Sequence, residues 1–521
     1  MLYAVIIVYV LALAAALSLS AAYYAHMFQL ESYLPVQFLK WLASGLPWKK
    51  KGAALFVAAF AVTAFALFPG RPAAFTAGAA AFTVSAFFFR PVRGAKKPLV
   101  VTSRVKRLFA AFAVLCALAG ILCAVWNLVV LTPLFLPAAP FILLLANVVN
   151  RPVERAVRRY YINDAKKIIK ARGKTLTVIG ITGSYGKTST KFFLAKLLSQ
   201  KYNVLMTPAS YNTTMGVVKV VREMLKPSHE IFICEMGARR AGEIGEICDI
   251  VLPDHGIITS IGPQHLETFK SIETIIRTKF ELADAVGDRG VMVLNGDNRY
   301  IYERRYNVNY NYYGVENGKS GYLASDVAAS VDGSAFSLRF PDGETLSLRS
   351  RLIGRHNVLN ILAAAAMADK LGVERKSIAR AVQMLEPVPH RLELVDGGDI
   401  VIIDDAFNSN PAGAKSALEA LAVFDGVRIL VTPGMVELGE SQGILNREFG
   451  AKAAEVCQYI YIVGKVNYDS IYRGAALAGF DVGARVIAVD RPEQAVAAVR
   501  ALATDKKKYV LLENDLPDNF R

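Results

Sequence analysis

Apolar positions change their rhythm once along this chain, at about residue 150. Before it they form long runs, roughly Leu2 to Tyr23, Ala53 to Phe68, Ala73 to Phe89, Leu108 to Val129, and Leu131 to Val149. A bilayer span takes about 20 apolar residues, so the first and fourth runs are long enough to cross. The second and third are shorter and alanine-rich, suited to tilted or re-entrant segments. The first run lacks a basic flank and is too long for a signal-peptide core, so it reads as an anchor that stays. From about Thr175 the pattern turns to short apolar runs alternating with helical periodicity, the mark of α/β architecture.

In that second half the expected strands are Leu176–Ile181, Glu230–Cys234, His255–Thr259, Val291–Leu294, Asp399–Ile403, Val427–Val431, Tyr459–Val463 and Tyr509–Leu512. Tyr302 to Leu352 alternates polar and apolar residues around Glu316-Asn317-Gly318 and Pro341-Asp342-Gly343, which predicts a small antiparallel β insert. One α/β unit closes near Val388-Pro389-His390 and another opens at Asp399. The organisation expected is therefore a five-helix transmembrane domain over 1–150, a basic linker over 151–174, a central domain over 175–388 and a C-terminal domain over 389–521.

Charge sharpens this picture. The chain has 521 residues, 54% hydrophobic, and a formal net charge of +16. Lys40, Lys49, Lys50 and Lys51 separate the first two runs. Arg90, Arg93, Lys96, Lys97, Arg104, Lys106 and Arg107 separate the third and fourth, and Arg151, Arg155, Arg158 and Arg159 follow the fifth. The remaining connections carry only Arg71. Five crossings with the N-terminus outside put all three basic segments on the cytosolic face. Basic residues beside hydrophobic runs point to anionic lipid headgroups rather than nucleic acid. Trp41 and Trp48 flank an interfacial segment, Tyr33 to Trp48. The spans carry almost no ionisable residues, which fits an anchor better than a transport path. Five scattered cysteines without Cys-x-x-Cys spacing exclude a zinc ribbon or disulfide framework and fit a reducing cytosol.

The candidate chemistry begins at Thr182-Gly183-Ser184-Tyr185-Gly186-Lys187-Thr188, between the first strand and a helix over Ser189 to Tyr202. A glycine turn between strand and helix lets backbone N–H groups wrap a nucleotide's phosphates; Lys187 can reach the β and γ phosphates and the Thr188 hydroxyl can ligate Mg²⁺. Ile181 stands where a full Walker motif has its first glycine. Glu235 ends a buried strand, a position suited to holding Mg²⁺. His265 follows Ile261-Gly262-Pro263 on a strand-end loop, and Lys279 lies on a helix in Thr278-Lys279-Phe280-Glu281.

With these residues in order, the part from about Thr175 onward resembles the Mur ligase family and is most similar to its MurF branch. The resemblance rests on the Gly-x-x-Gly-Lys-Thr loop, Tyr211-Asn212-Thr213-Thr214-Met215-Gly216, Glu235-Met236-Gly237-Ala238, and Ile261-Gly262-Pro263-Gln264-His265-Leu266. It continues through Leu294-Asn295-Gly296-Asp297, Gly354-Arg355-His356-Asn357-Val358-Leu359-Asn360, Arg391-Leu392-Glu393, the run Asp404 to Pro411, and Met435-Val436-Glu437-Leu438-Gly439. It implies a P-loop central ATPase domain and a Rossmann-like C-terminal domain behind the α-helical transmembrane part. The implied reaction is ATP-dependent joining of a carboxylate to an amine through an acyl phosphate, with release of ADP. Thr182 to Ser189 would cradle ATP. Thr188 and Glu235 would hold one Mg²⁺ and His265 a second, with Lys279 carbamylated by CO₂. Asn295, Asn357 and Asn360 would lie near adenine and ribose. Arg391 and Asp405 would reach ATP from the C-terminal domain. Asn212, Thr213 and Asn408 would contact the acceptor or the amine.

Three departures from the branch stand out. Membrane helices replace the soluble domain that binds the UDP part of the substrate, Phe407 replaces a tyrosine, and Leu511 to Phe520 replaces a Lys-Gly-Ser ending. The implied partners are a muramyl-peptide acceptor, UDP-linked or lipid-linked, an amine such as D-alanyl-D-alanine, the lipid bilayer and other cell-wall synthesis proteins. The implied place is the inner membrane of a bacterium, with the catalytic domains in the cytosol. The alternatives are a ligase or amidase acting on a lipid-linked muropeptide, a poly-γ-glutamate-type capsule synthase and, from a different class, an ATP-driven lipid or peptide translocator.

Overall fold

The computed structural model describes residues 2–43, 54, 57, 58, 61, 71–88, 98–209, 211–264, 266–304, 310–406 and 409–515. The chain divides near residue 160 into two compact units.

Among the described residues of the first unit, the helices are Leu2–Leu30, Pro35–Ala43, Arg71–Phe88 and Ser103–Val125, with Phe135–Arg172 continuing into the second. Among the described residues, three segments are long and apolar enough to cross a membrane: Tyr3–Leu30, Ser103–Val125 and Val129–Thr175. They match the first, fourth and fifth expected runs. The third run forms the 18-residue helix Arg71–Phe88, and most of the second lies outside the described residues, as do Lys49 to Lys51, Arg90, Arg93, Lys96, Lys97 and Trp48. Tyr9, Phe28, Phe38 and Leu143 form part of a buried cluster, while Leu11, Leu118 and Ile121 face outward. The Tyr9 hydroxyl meets Thr132 Oγ1 at 2.7 Å, so neither polar group is left unpaired among apolar neighbours. Arg107 pairs with Glu154 at 2.6 Å.

The stretch expected as a basic linker is helical as far as Arg172. Its apolar residues Tyr161, Ile162, Ala165, Ile168 and Ile169 share one helical face and pack into the core of the second unit. Arg222 bonds Asp164 at 2.6 Å, and Arg172 bonds the Lys226 and His229 carbonyls.

The second unit holds two sheets. The first contains β1 (Thr177–Thr182), β2 (Val204–Met206), β3 (Ile231–Glu235), β4 (His255–Ile258), β5 (Met292–Asn295), β6 (Tyr310–Gly314), β7 (Tyr322–Ser330), β8 (Gly333–Arg339) and β9 (Thr345–Ser350), in the order β2-β3-β1-β4-β5-β6-β7-β8-β9. Strands β2 to β6 and β1 run parallel, and both faces are covered, which explains the unbroken apolar runs in β1 and β3. The expected antiparallel insert is not a separate piece. β6 pairs parallel to β5, β7 pairs parallel to β6, and only β7-β8-β9 form an antiparallel meander.

The second sheet contains β10 (Glu393–Asp396), β11 (Ile400–Asp405), β12 (Val427–Thr432), β13 (Tyr459–Val463), β14 (Val486–Val489) and β15 (Lys508–Glu513), ordered β10-β11-β15-β12-β13-β14. All pairs are parallel except β10 with β11. The register sets Asp405 beside Glu513, and β12 ends next to them at Thr432. Parallel sheets take ligands beyond their carboxyl ends, so these strand ends and those of β1 and β3 are where chemistry is expected.

Candidate active site

The loop after β1 is shaped by two glycines. Gly186 has φ +80, and a Cβ there would collide with Asn360 Oδ1; Gly183 has φ +149, and a Cβ there would collide with Thr259 Oγ1. Only glycine supplies this backbone without strain. The loop is fastened from behind: Ser184 N–H donates to the Ser260 carbonyl at 2.6 Å, Ser184 Oγ to the Gly262 carbonyl at 3.0 Å, and Tyr185 Oη to the Pro263 carbonyl at 2.9 Å. Thr182 Oγ1 donates to the Met236 carbonyl, tying β1 to the end of β3. Lys187 opens the helix Lys187–Leu198, and its ammonium donates to the carbonyls of Gly183 (2.7 Å) and Ser184 (3.2 Å). Burial lowers the Lys187 pKa to about 8, with Glu235 opposing the shift and Arg391 adding to it.

Glu235 is the hub. Its Oε1 accepts from Thr188 Oγ1 at 3.1 Å and Asn212 Nδ2 at 3.0 Å, and its Oε2 accepts from Lys191 Nζ at 2.9 Å. Lys191 is fully buried and also donates to the Ala209 carbonyl at 2.6 Å. Burial pushes the Glu235 pKa up, but Lys191, Lys187 and the hydrogen bonds from Lys191 and Asn212 outweigh it and hold the carboxyl below its usual range. Thr188 and Glu235, hydroxyl and carboxylate in contact beside a phosphate loop, fit a Mg²⁺ site by donor type. Lys191 was not among the sequence candidates. Its signal was available: it follows Lys187 by four residues on one helix, so the two share a face.

Lys279 lies buried on the helix Ile272–Val286. Burial first, then the charge of Lys187, lowers its pKa to about 7, against the pull of Glu243 and Glu281. A substantial neutral fraction follows at neutral pH, and the neutral amine is the form that adds CO₂. Lys279 thus fits a carbamate chemically. His265 and Asn408 lie outside the described residues.

The remaining expected residues have definite places. Asn295 Nδ2 donates to the Thr259 carbonyl at 2.8 Å, Asn357 Nδ2 to the Ile353 carbonyl at 2.9 Å, and Asn360 Oδ1 accepts from Thr190 Oγ1 at 3.2 Å. All three are buried, and Asn360 sits directly under the phosphate loop. Ser189 is buried in the first turn of the helix Lys187–Leu198. Thr213 caps the helix Thr214–Glu223 by accepting from Gly216 N–H. In the second sheet, burial raises the Asp405 pKa to about 6 although Arg391 opposes it. Burial lowers the Arg391 pKa, opposed by Asp405 and Glu235, so its charge is felt at both strand-end carboxylates. His390 Nδ1 lies 2.7 Å from Asp404 Oδ2, near Glu393; these three form the one group of possible metal ligands found among the described residues.

A phosphate loop whose hydroxyl meets a buried strand-end carboxylate, followed by a second nucleotide-fold sheet, defines a P-loop ATP-using enzyme. Residues 181–368 match the Mur ligase middle domain and 390–512 the Mur ligase, glutamate ligase domain. The UDP-N-acetylmuramoyl-tripeptide–D-alanyl-D-alanine ligase of a Synechocystis species is 33% identical over 66% of this chain and 76% of its own length. The Escherichia coli enzyme of that name is 30% identical over 56% of this chain and 65% of its own length. A crystal structure of MurF from Acinetobacter baumannii superposes with a TM-score of 0.63 at 26% identity, covering 69% of this chain and 77% of that one. The MurF ligase of Thermotoga maritima in complex with ADP gives 0.61 at 25%, covering 69% and 80%. The chain belongs to the Mur ligase family, whose MurF members are ATP-dependent, ADP-forming ligases that make amide bonds.

Proposed function

We propose that this chain is a membrane-anchored ligase of the MurF type, joining D-alanyl-D-alanine to a muramyl tripeptide with its catalytic domains in the cytosol of a bacterium. The observation that carries the reading is the contact of Thr188 and Glu235 at the mouth of the Lys187 loop. The relatives' names supply the substrates.

The tripeptide carboxylate attacks the γ-phosphorus of ATP, ADP leaves, and an acyl phosphate forms. The amine then attacks the acyl carbon and phosphate departs. The main obstacle is electrostatic, because a carboxylate must approach a triphosphate. Lys187 and the loop amides offset that repulsion and take up charge on the transferred group. Mg²⁺, held by Thr188 and Glu235, supplies further neutralisation when bound. Lys191 keeps Glu235 ionised and oriented. If carbamylated, Lys279 would present an anion where an ammonium would repel a metal, with His265 as its expected companion. Asn212 and Asn408 would contact the acceptor or the amine. Arg391 and Asp405 act on ATP, and Asn295, Asn357 and Asn360 border its adenosine.

A second reading concerns only the carrier of the acceptor. An apolar groove of about 920 Å³ between the helices Leu2–Leu30 and Ser103–Val125, lined by Tyr9, Leu13, Phe112 and Gly120 among others, favours a lipid-linked muropeptide. Detergent-solubilised protein, offered ATP, D-alanyl-D-alanine and either UDP-linked or lipid-linked muramyl tripeptide, distinguishes the two by ADP release and amide product. ATP turnover stimulated by lipid without any amide would sink the ligase reading and favour a translocator.

A further inference from the structure

One buried charge in the second sheet has no part in the steps above. Glu513 ends β15 and is 1% exposed. Its Oε1 accepts from the Ser409 hydroxyl, and its Oε2 accepts from Thr432 Oγ1 at 2.7 Å. Thr432 Oγ1 is itself fixed, accepting from Gly434 N–H at 2.9 Å. No basic group pairs with this carboxylate among the described residues. The charged neighbour is Asp405, aligned with it on β11, and Arg391 bears on Asp405. Glu235 in the first sheet is equally buried but has Lys191. A buried carboxylate with two hydroxyl donors and no cation is costly, and such costs persist where a site uses them. The carboxyl end of a parallel sheet is also where such folds take ligands. The partner this carboxylate lacks among the described residues is a cation, and the ligase reaction requires one: an amine arrives in neutral water as an ammonium.

We propose that Glu513 receives the ammonium of the incoming amine and takes the proton that frees it to attack. This rests on the ligase reading above. The substrate class it selects is a primary amine delivered as a cation. The ammonium gives one N–H proton to the Glu513 carboxylate. The freed nitrogen lone pair forms the C–N bond at the acyl carbon as the C–O bond to phosphate breaks and phosphate leaves. A second nitrogen proton passes to solvent, and the Glu513 proton follows. Burial, offset by the Ser409 and Thr432 hydroxyls and reinforced by Asp405, puts the Glu513 pKa at about 7, a value suited to a base at neutral pH.

The test uses full-length protein with ATP, UDP-linked or lipid-linked muramyl tripeptide, and two nucleophiles. Hydroxylamine, already neutral at pH 7, traps the acyl phosphate as a hydroxamate and needs no base; D-alanyl-D-alanine does. In Glu513→Gln, hydroxamate formation should stay within about twofold of wild type while kcat/KM for D-alanyl-D-alanine falls about a hundredfold, the size of a lost general base. The acid limb of the wild-type pH profile near 7 should disappear, and Glu513→Asp should restore part of the rate. Equal use of both nucleophiles by Glu513→Gln, with an unchanged pH profile, overturns the proposal. So does a parallel loss of both products, which marks Glu513 as a structural tie between strand ends. Absence of hydroxamate from the wild type with both carriers overturns the ligase reading itself, and this inference with it.

Discussion

Glu235 and Glu513 occupy the same kind of position, the last residue of a parallel strand, and both are 1% exposed. Their charges are handled in opposite ways. Glu235 has a buried ammonium, a hydroxyl and an amide around it, and its pKa is held low. Glu513 has two hydroxyls and a neighbouring carboxylate, and its pKa is pushed to about 7. Backbone placement is shared, so the difference comes from side chains alone. One sheet edge keeps its carboxyl a permanent anion, the form a metal site needs. The other is built to gain and lose a proton. A fold that sets a carboxylate at a strand end does not decide its chemistry; the neighbouring two or three side chains do.

The largest expected effect lies on the first edge. Lys187→Ala removes the ammonium proposed to meet the phosphates and should reduce ATP-dependent ligation by about a thousandfold or more, the scale of a lost electrostatic contact to a transferring phosphoryl. ADP release measures it. The thermal unfolding midpoint should change little, because the Lys187 partners are backbone carbonyls at a half-buried site. Unchanged turnover would remove Lys187 from the ATP site.

Lys191→Met tests the other half of the same edge. It strands Glu235 as a buried, unpaired charge and should cost about 3–5 kcal/mol of stability. The double variant Lys191→Met/Glu235→Gln should recover most of that loss, because two neutral groups of similar size are left. Denaturant unfolding of the three proteins gives the answer. A double variant as unstable as the single one would mean that packing, not charge, sets the cost.

The two edges should also respond oppositely to pH. Glu235 has a folded-state pKa below the ordinary 4.5, so its stabilisation is present above 4.5 and is lost as pH falls through the folded value. Glu513 has a folded-state pKa raised from 4.5 to about 7, so its contribution is fully present below 4.5 and is lost as pH rises through 7. Glu513→Gln removes that second dependence. Its melting temperature relative to wild type should climb between pH 4.5 and 7 and then level off. A flat difference over this window would contradict an ionising Glu513.

Much of the first edge was legible in the sequence. Strand, glycine turn, lysine and helix are contiguous, so Thr182 to Ser189 declare their own geometry, and Glu235 shows itself as an acid ending an apolar run. Lys191 escaped because the signature ends at Thr188 and a lysine inside a helix reads as surface. The second edge is assembled from Ser409, Thr432 and Glu513, which no local pattern connects; only the β11-β15-β12 order joins them. The same logic explains the errors in the fold. Basic residues between 151 and 172 masked the apolar stripe from Tyr161 to Ile169 that docks on the first sheet. β2 is three residues long, too short to show a pattern, and the parallel pairing of β6 with β5 is invisible in its alternation.

The smallest effects bring the comparison down to single hydrogen bonds. Asn212→Ala removes one donor from Glu235, and Thr432→Val removes one from Glu513. Each should cost about 1–3 kcal/mol, the range for a bond to a charged group. The pH dependence should separate them. Between pH 5 and 8 Glu235 stays ionised, so the cost of Asn212→Ala should be constant. Glu513 changes from largely protonated to largely ionised over the same range, and the lost Thr432 hydroxyl matters most to the anion. The cost of Thr432→Val should therefore be larger at pH 8 than at pH 5. Thermal melts of both variants at the two pH values measure this, and equal pH dependence in the two would mean that the second edge holds a fixed charge after all.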